Sequence, residues 1–384
     1  MTFEQRLARN LDAAITSALD ENRIVGTVVA VMRGGRMAFH AARGLADRES
    51  GEPMREDAIF LLASATKPVT SAAALALIER GAFDLETPVT RHLPEFRPRY
   101  GDAQPEITVR HLLTHTAGLY YPFQEPEDGP AHRADVSNGL DLPELPGPEA
   151  MARLARVPLR FLPGTAYNYS LSLDVLGEFM AAATGQSLPE IVASTITGPL
   201  RMTDTAFAVG DASRLVTHYG VDTDNRPLRM GDTYWGPTLA SPVRMSPRRL
   251  FDAGSYASGG GGMAGTAGDF LRFLEALRLH GGDILKPAST RLMTANALPG
   301  AIPQALEPGW TYGLGTETLS DPGSATGPER PGAFKGSGGY GHRWFVDPEL
   351  ELSAVAFTNS APEGVRGAFV SAIRDTIYAA VDPD

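Results

Sequence analysis

Residues 60–73 read FLLASATKPVTSAA. Apolar residues run into Ser64, Lys67 follows one helical turn later, and an alanine-rich segment continues behind them. On a helix, positions i and i+3 share a face, so the hydroxyl and the amine come within hydrogen-bonding reach. Pro68 falls in the first turn, where a missing N–H costs least, and this puts Ser64 near the helix N-terminus. Free N–H groups and the positive dipole end there stabilise a developing anion. A serine is a poor nucleophile until a base takes its proton, and a desolvated lysine supplies that base or tunes its pKa. The plain alternative is an N-cap serine beside a solvated lysine, and S-x-x-K alone does not separate the two.

Two further stretches bear on that choice. PGTAYNYSLSLDVLG, 163–177, carries Tyr167 and Tyr169 ahead of a helical pattern. A phenol held between cations can lose its proton well below the usual value and serve as a base; the alternative is two core tyrosines. FKGSGGYGH, 334–342, precedes the strand pattern HRWFV, and its glycines let backbone N–H groups approach a ligand. The alternative there is a flexible loop. The run SGGGGMAGTAGDFLRFLEAL, 258–277, lacks the Gly-Lys-Ser/Thr of a phosphate loop and predicts a tight turn where a helix packs on a sheet. His111 and His115 in HLLTH have metal-ligand spacing, but the glutamate of H-E-x-x-H and a third ligand are missing, so no metal is expected. No G-x-S-x-G occurs, which argues against an α/β-hydrolase elbow.

The chain has 384 residues, 43% of them hydrophobic, enough for one large domain or two ordinary ones. Its formal net charge of −11 disfavours nucleic acid as a partner, since phosphate binding needs clustered Lys and Arg. No apolar run approaches the roughly 18 residues of a membrane span. The first residues, MTFEQRLARNLDAAITSALDENRIVG, read as an amphipathic helix without an apolar leader, so the expectation is a cytoplasmic protein. With no cysteine, thiolate nucleophiles, disulfides and Cys-based zinc sites are excluded.

GTVVAVMRGGRMAFHAARG, 26–44, has two apolar runs around Arg33-Gly34-Gly35-Arg36, a hairpin signature. HRWFVDPELELSAVAFTN, 342–359, gives two more strands around Asp347-Pro348, and 363–381 has helical spacing. Helix and strands at one end mirror strands and helix at the other. The expected fold class is α+β: an antiparallel sheet built from both termini and flanked by helices, plus a mostly helical insertion. The expected division is 1–63 and 186–384 in an α/β sandwich, with 64–185 as the helical part. Segments 120–147 and 218–250 read as long loops, which in compact domains are often functional.

In this order, S-x-x-K, HLLTHTAGL, a PGT–Tyr segment and a Gly-rich turn before a late strand resemble the serine β-lactamase-fold hydrolases. The resemblance is strongest to the class C β-lactamase-like esterases, the family VIII carboxylesterases, with D-amino-acid peptidases and acyltransferases as relatives. It runs from about residue 24 to the C-terminus. It implies a β-lactamase/transpeptidase-like fold with the active site between sandwich and helical domain. It implies Ser64 as the acylated nucleophile, Lys67 as the lysine of the same motif, and Tyr169, directly before Ser170, as the catalytic tyrosine; Tyr167 does not match. Tyr121 falls where these esterases place a second, pocket-lining tyrosine. Gly336-Ser337-Gly338 occupies the third motif, elsewhere Lys-Thr-Gly, His-x-Gly or Trp-Gly-Gly. Gly339 would then share the oxyanion hole with the amide of Ser64.

Two departures bear on substrate. Leu171 stands where the β-lactamases place an asparagine that holds the substrate's amide side chain. Gly336 replaces the Lys or His that grips a carboxylate, and Lys335 beside it points to the opposite face of the strand. Sites without such hydrogen bonds lose discrimination by orders of magnitude. A neutral carboxylic ester is therefore the expected small-molecule partner, with acyl transfer to alcohols or amines open. β-Lactamase or D-peptidase activity, or a catalytically silent binding protein, are the alternatives. Trp235 and Trp310 are candidate pocket walls, with a core or interface role as the alternative for each. No cofactor is implied, and the sequence assigns no oligomeric state.

Overall fold

In the computed structural model, residues 1–238, 240–300, 302 and 306–381 are described, positions 237 and 238 by their backbone alone. Eight strands form one antiparallel sheet. They are β1 (Gly26–Arg33), β2 (Arg36–Asp47), β3 (Glu52–Pro53), β4 (Trp310–Tyr312), β5 (Glu317–Leu319), β6 (Phe334–Gly338), β7 (His342–Asp347) and β8 (Leu352–Thr358). Their order across the sheet is β4-β5-β6-β7-β8-β1-β2-β3. The two ends of the chain meet in the middle, where β1 pairs with β8 from Thr27 opposite Thr358 to Arg33 opposite Leu352. Gly34 and Gly35 close the β1–β2 hairpin with φ of 56° and 74°, a left-handed pair that suits glycine.

Alternation along β1 divides the core. Val29 and Val31 face α1 (Phe3–Asp20) and the C-terminal helix, which put Leu7, Leu11, Ile15, Phe369, Ile373 and Ile377 against that side. Val28 and Ala30 face the opposite way, into a cluster that includes Phe270, Phe273 and Leu274. That second cluster is continuous with the helical region through α2 (Thr66–Glu79) and α3 (Ser172–Thr184). Every residue of α2 from Thr66 to Leu77 is buried, so the helix has no solvated face and its alanines let neighbours pack closely. The helices α4 (Ala267–Arg278) and α5 (Ala368–Val381) complete the layers, α4 over β1 and β8, α5 against α1.

One expectation needs correcting. The segment 218–250 is not a long loop but holds two small hairpins, Tyr219–Val221 with Pro227–Arg229 and Tyr234–Thr238 with Pro242–Met245; residue 239 lies outside the described residues. Among the described residues, no helix is long and apolar enough to cross a membrane.

Candidate active site

Ser64 lies in a 3₁₀ turn, Ala63–Ala65, that leads directly into α2. Ala63 before it has φ of 45°, a left-handed conformation that costs energy for a residue with a side chain. The turn is fixed from two sides. Leu62 N–H donates to Met263 O at 2.8 Å, and His342 Nε2 bonds Leu61 O at 2.8 Å. Burial lowers His342 to about 4, so the ring is neutral and Nε2 carries the donated hydrogen. A Cβ on Gly338 would overlap the Leu62 carbonyl, so glycine lets β6 press against the turn and brings Gly339 beside Ala63.

Lys67 is 2% exposed. Its Nζ is 3.1 Å from Ser64 Oγ and donates to Gly260 O at 2.7 Å. Burial lowers its pKa from 10.5 to about 7, against the opposing pull of Asp174. The ring centroid of Tyr169 lies 4.6 Å from Nζ. Burial pushes the Tyr169 phenol up, and a hydrogen bond with Ser64 acts the other way without reversing it. The expectation of a phenol eased toward phenolate runs against this direction: desolvation outweighs the hydrogen bond with Ser64 and favours the protonated phenol, while Lys67 is lowered to about 7.

The backbone around Tyr169 is clamped. Asn168 N–H donates to His115 O at 3.0 Å, Ser170 N–H to His115 Nδ1 at 3.2 Å, and Gln124 Nε2 to Tyr169 O at 3.0 Å. The His115 ring packs 4.7 Å from the Tyr169 ring, centroid to centroid. His111 acts elsewhere, where its Nδ1 accepts from Thr108 N–H at 3.2 Å and caps a short helix.

A layer behind the lysine was not foreseen. Asp174, at the start of α3, is 1% exposed. Its Oδ1 accepts from Ser258 Oγ at 2.5 Å and Tyr256 Oη at 3.3 Å, while Oδ2 has no partner among the described residues. The glycine run 258–262 is a turn, as expected, but it packs beneath α2 and α3. Cβ atoms on Gly259 and Gly260 would overlap the Leu173 carbonyl and the Asp174 carboxylate. The same turn delivers the carbonyl that holds Lys67. No sequence motif announces Gly260 or Asp174, because each meets Lys67 only through tertiary packing.

A cavity of about 530 Å³ opens onto Ser64, Lys67, Tyr169 and Gly339. Phe123, Leu140, Val243, Met245 and Tyr312 give it a largely apolar wall, and Gly336 and Ser337 border it. Several expected contacts lie outside its lining. Trp235 is 59% exposed and turns outward on its strand while Tyr234 turns inward, the ordinary alternation of a hairpin. Trp310 belongs to a separate cluster with Leu319 and Ala333, where the Lys335 amine sits 3.6 Å from its ring centroid. Leu171 is 2% exposed and packs in the core. Tyr121 stands behind the lining, stacked on Phe123 at 4.8 Å, with Lys67 Nζ 5.6 Å from its ring centroid. Gly338 serves the contact with Leu62 instead. Tyr167, Tyr234 and Tyr312 line the cavity without having been assigned there.

A sheet joined through both termini, with a serine and a buried lysine one turn apart at the head of a central helix, is the layout of a serine hydrolase. The chain belongs to the beta-lactamase family, whose model matches residues 11–374. It is 43% identical over 377 residues to Esterase EstB of Burkholderia gladioli, covering 97% of this chain and 95% of that protein. It is 31% identical over 299 residues to the lovastatin esterase of Penicillium rubens, covering 73% of this chain and 70% of that one. Among solved structures it is similar to EstCE1, a hydrolase with promiscuous acyltransferase activity, with a TM-score of 0.91, 37% identity, and coverage of 98% and 99% of the two chains.

Proposed function

We propose that this chain is a serine carboxylesterase for neutral esters of short to medium acyl length, working through an acyl-enzyme on Ser64. The observation that carries the reading is Lys67 Nζ at 3.1 Å from Ser64 Oγ, at the end of a mostly apolar cavity. The β6 side of the cavity offers a carboxylate little grip, the Arg366 guanidinium standing elsewhere on the lining and exposed. Gly336 brings no cation, and the Lys335 amine is already held by Glu307 at 2.5 Å. An anionic group seated along β6 would lose its hydration without a cation at position 336 to replace it. Esterase activity in the names of EstB and the lovastatin esterase, and acyl transfer in that of EstCE1, support the same reading.

The neutral amine of Lys67 takes the proton of Ser64, and Oγ attacks the ester carbonyl carbon. The carbonyl electron pair moves onto oxygen, between the N–H groups of Ser64 and Gly339, each such donor being worth about 3 kcal/mol. Collapse of this intermediate breaks the bond to the alcohol. Tyr169 protonates the departing alkoxide and is reprotonated from Lys67. Water then enters and gives a proton to the same pair as its oxygen attacks the acyl carbon. The bond to Ser64 Oγ breaks, the pair returns the proton to Oγ, and the acid leaves; an alcohol or amine in place of water gives acyl transfer. Lys67 and Tyr169 titrate as a coupled pair in this cycle.

Replacing Ser64 by alanine tests the reading. Turnover of p-nitrophenyl butyrate should fall at least ~10⁴-fold with unchanged thermal unfolding, and the wild type should prefer that ester to nitrocefin. Turnover retained in Ser64→Ala contradicts the nucleophile assignment, and a preference for the lactam contradicts the substrate class.

A further inference from the structure

Gly336 leaves no empty space. It is the cross-strand partner of Trp344 in the β6–β7 ladder, so the two residues share a face of the sheet. A Cβ on Gly336 would lie 2.8 Å from Trp344 Cε2, closer than such atoms sit in proteins, and a tight 3.1 Å from Nε1. The indole therefore occupies the volume into which a side chain at 336 would project. Both residues border the cavity that opens on Ser64.

The indole is held there by packing. Phe270 and Phe334 lie against it, with ring centroids at 5.8 and 6.5 Å. Its Nε1–H has no hydrogen-bond partner among the described residues, and the ring is 2% exposed. A bulky aromatic kept in place without using its own polar atom is shaped for the room it fills. It lays carbon against the wall along β6, where a side chain rooted at 336 could have carried charge.

On the esterase reading above, we infer that Trp344 is a specificity-determining residue, reaching across from β7 to fill the position of side chain 336 and making that wall neutral. It sets how much room the substrate has along β6 and keeps a counter-charge rooted at position 336 out of the cavity. Gly336 is then glycine because Trp344 is tryptophan.

A stability cycle and a substrate panel test this together. Gly336→Ala should lower Tm in the wild-type background and cost little in a Trp344→Leu background, where the overlap is gone. An equal loss of Tm in both backgrounds, or none in either, overturns the filled-space claim whether or not the protein is an esterase. Trp344→Leu keeps an apolar core residue, and should shift kcat/KM for p-nitrophenyl octanoate over butyrate at least tenfold. Trp344→Leu combined with Gly336→Lys should raise kcat/KM at least tenfold for esters carrying a terminal carboxylate, in the acyl or alcohol half, relative to their uncharged analogues. A folded Trp344→Leu with the wild-type chain-length profile, or a folded double variant with the wild-type charge preference in both halves, overturns the specificity role. Absence of ester turnover in the wild type defeats the esterase reading instead, and leaves the stability cycle to decide the packing.

Discussion

Lys67 donates to the carbonyl of Gly260 at 2.7 Å, a bond that spans 193 residues of sequence. With one N–H committed to that carbonyl, the amine is oriented and its lone pair is free to face Ser64. On the proposed mechanism, the glycine turn orients the base, although it touches no substrate.

A pH profile follows from that burial. Lys67 falls from 10.5 to about 7 because the amine is desolvated. If its neutral form is the base, kcat/KM for p-nitrophenyl butyrate rises with pH through about 7 and then levels. A flat profile from pH 5.5 to 8.5 would contradict this. Stability moves in the same sense. Between about 7 and 10.5 the unfolded chain holds the proton that the native chain has lost, so this residue's contribution to stability rises with pH across that window. Lys67→Met should therefore raise Tm most at pH 7 and below, while abolishing turnover.

Tyr169→Phe separates acid from base. The phenol keeps its proton in the free site, so its loss removes the relay to the leaving group and lowers kcat by roughly 10²- to 10⁴-fold. The rising limb near pH 7 should remain, because Lys67 sets it. Disappearance of that limb in Tyr169→Phe would make the phenol the base.

Asp174 bears on Lys67 through its charge. Its charge favours the protonated amine, so Asp174→Asn should move the rising limb to lower pH without changing substrate preference. Asp174→Ala should in addition leave the Ser258 hydroxyl without its acceptor, at about 1–3 kcal/mol in denaturant unfolding. A limb that stays near 7 in Asp174→Asn would show that the carboxylate does not govern the lysine.

Gly259→Ala tests the seam under α2. The added methyl would overlap the backbone carbonyl of Leu173, which cannot swing aside as a side chain could. A loss of about 1–3 kcal/mol is expected, and wild-type stability would mean that α3 and the glycine turn can separate without cost.

Much of this was legible because it is local. The spacing of Ser64 and Lys67, the Gly34-Gly35 hairpin and the apolar periods at both ends are written within a few residues of each other, and they set the sheet and the head of α2. Tyr169 was legible through its neighbours in the PGT–Tyr segment. What stayed hidden depends on residues that meet only in three dimensions: the Gly260 carbonyl, the Asp174 carboxylate, the His115 clamp and the Trp344 indole. Trp235 and Trp310 show the converse. For both, the sequence leaves a cavity wall and a core or interface aromatic open; strand alternation turns one outward, and Lys335 takes up the other.

The acyl-enzyme is the central claim, and intact-protein mass spectrometry after treatment with a fluorophosphonate tests it most directly. The wild type should gain a single adduct that peptide mapping places on Ser64, with ester turnover lost in proportion, and Ser64→Ala should gain none. An adduct on another residue, or full ester turnover after Ser64 is modified, would contradict the account.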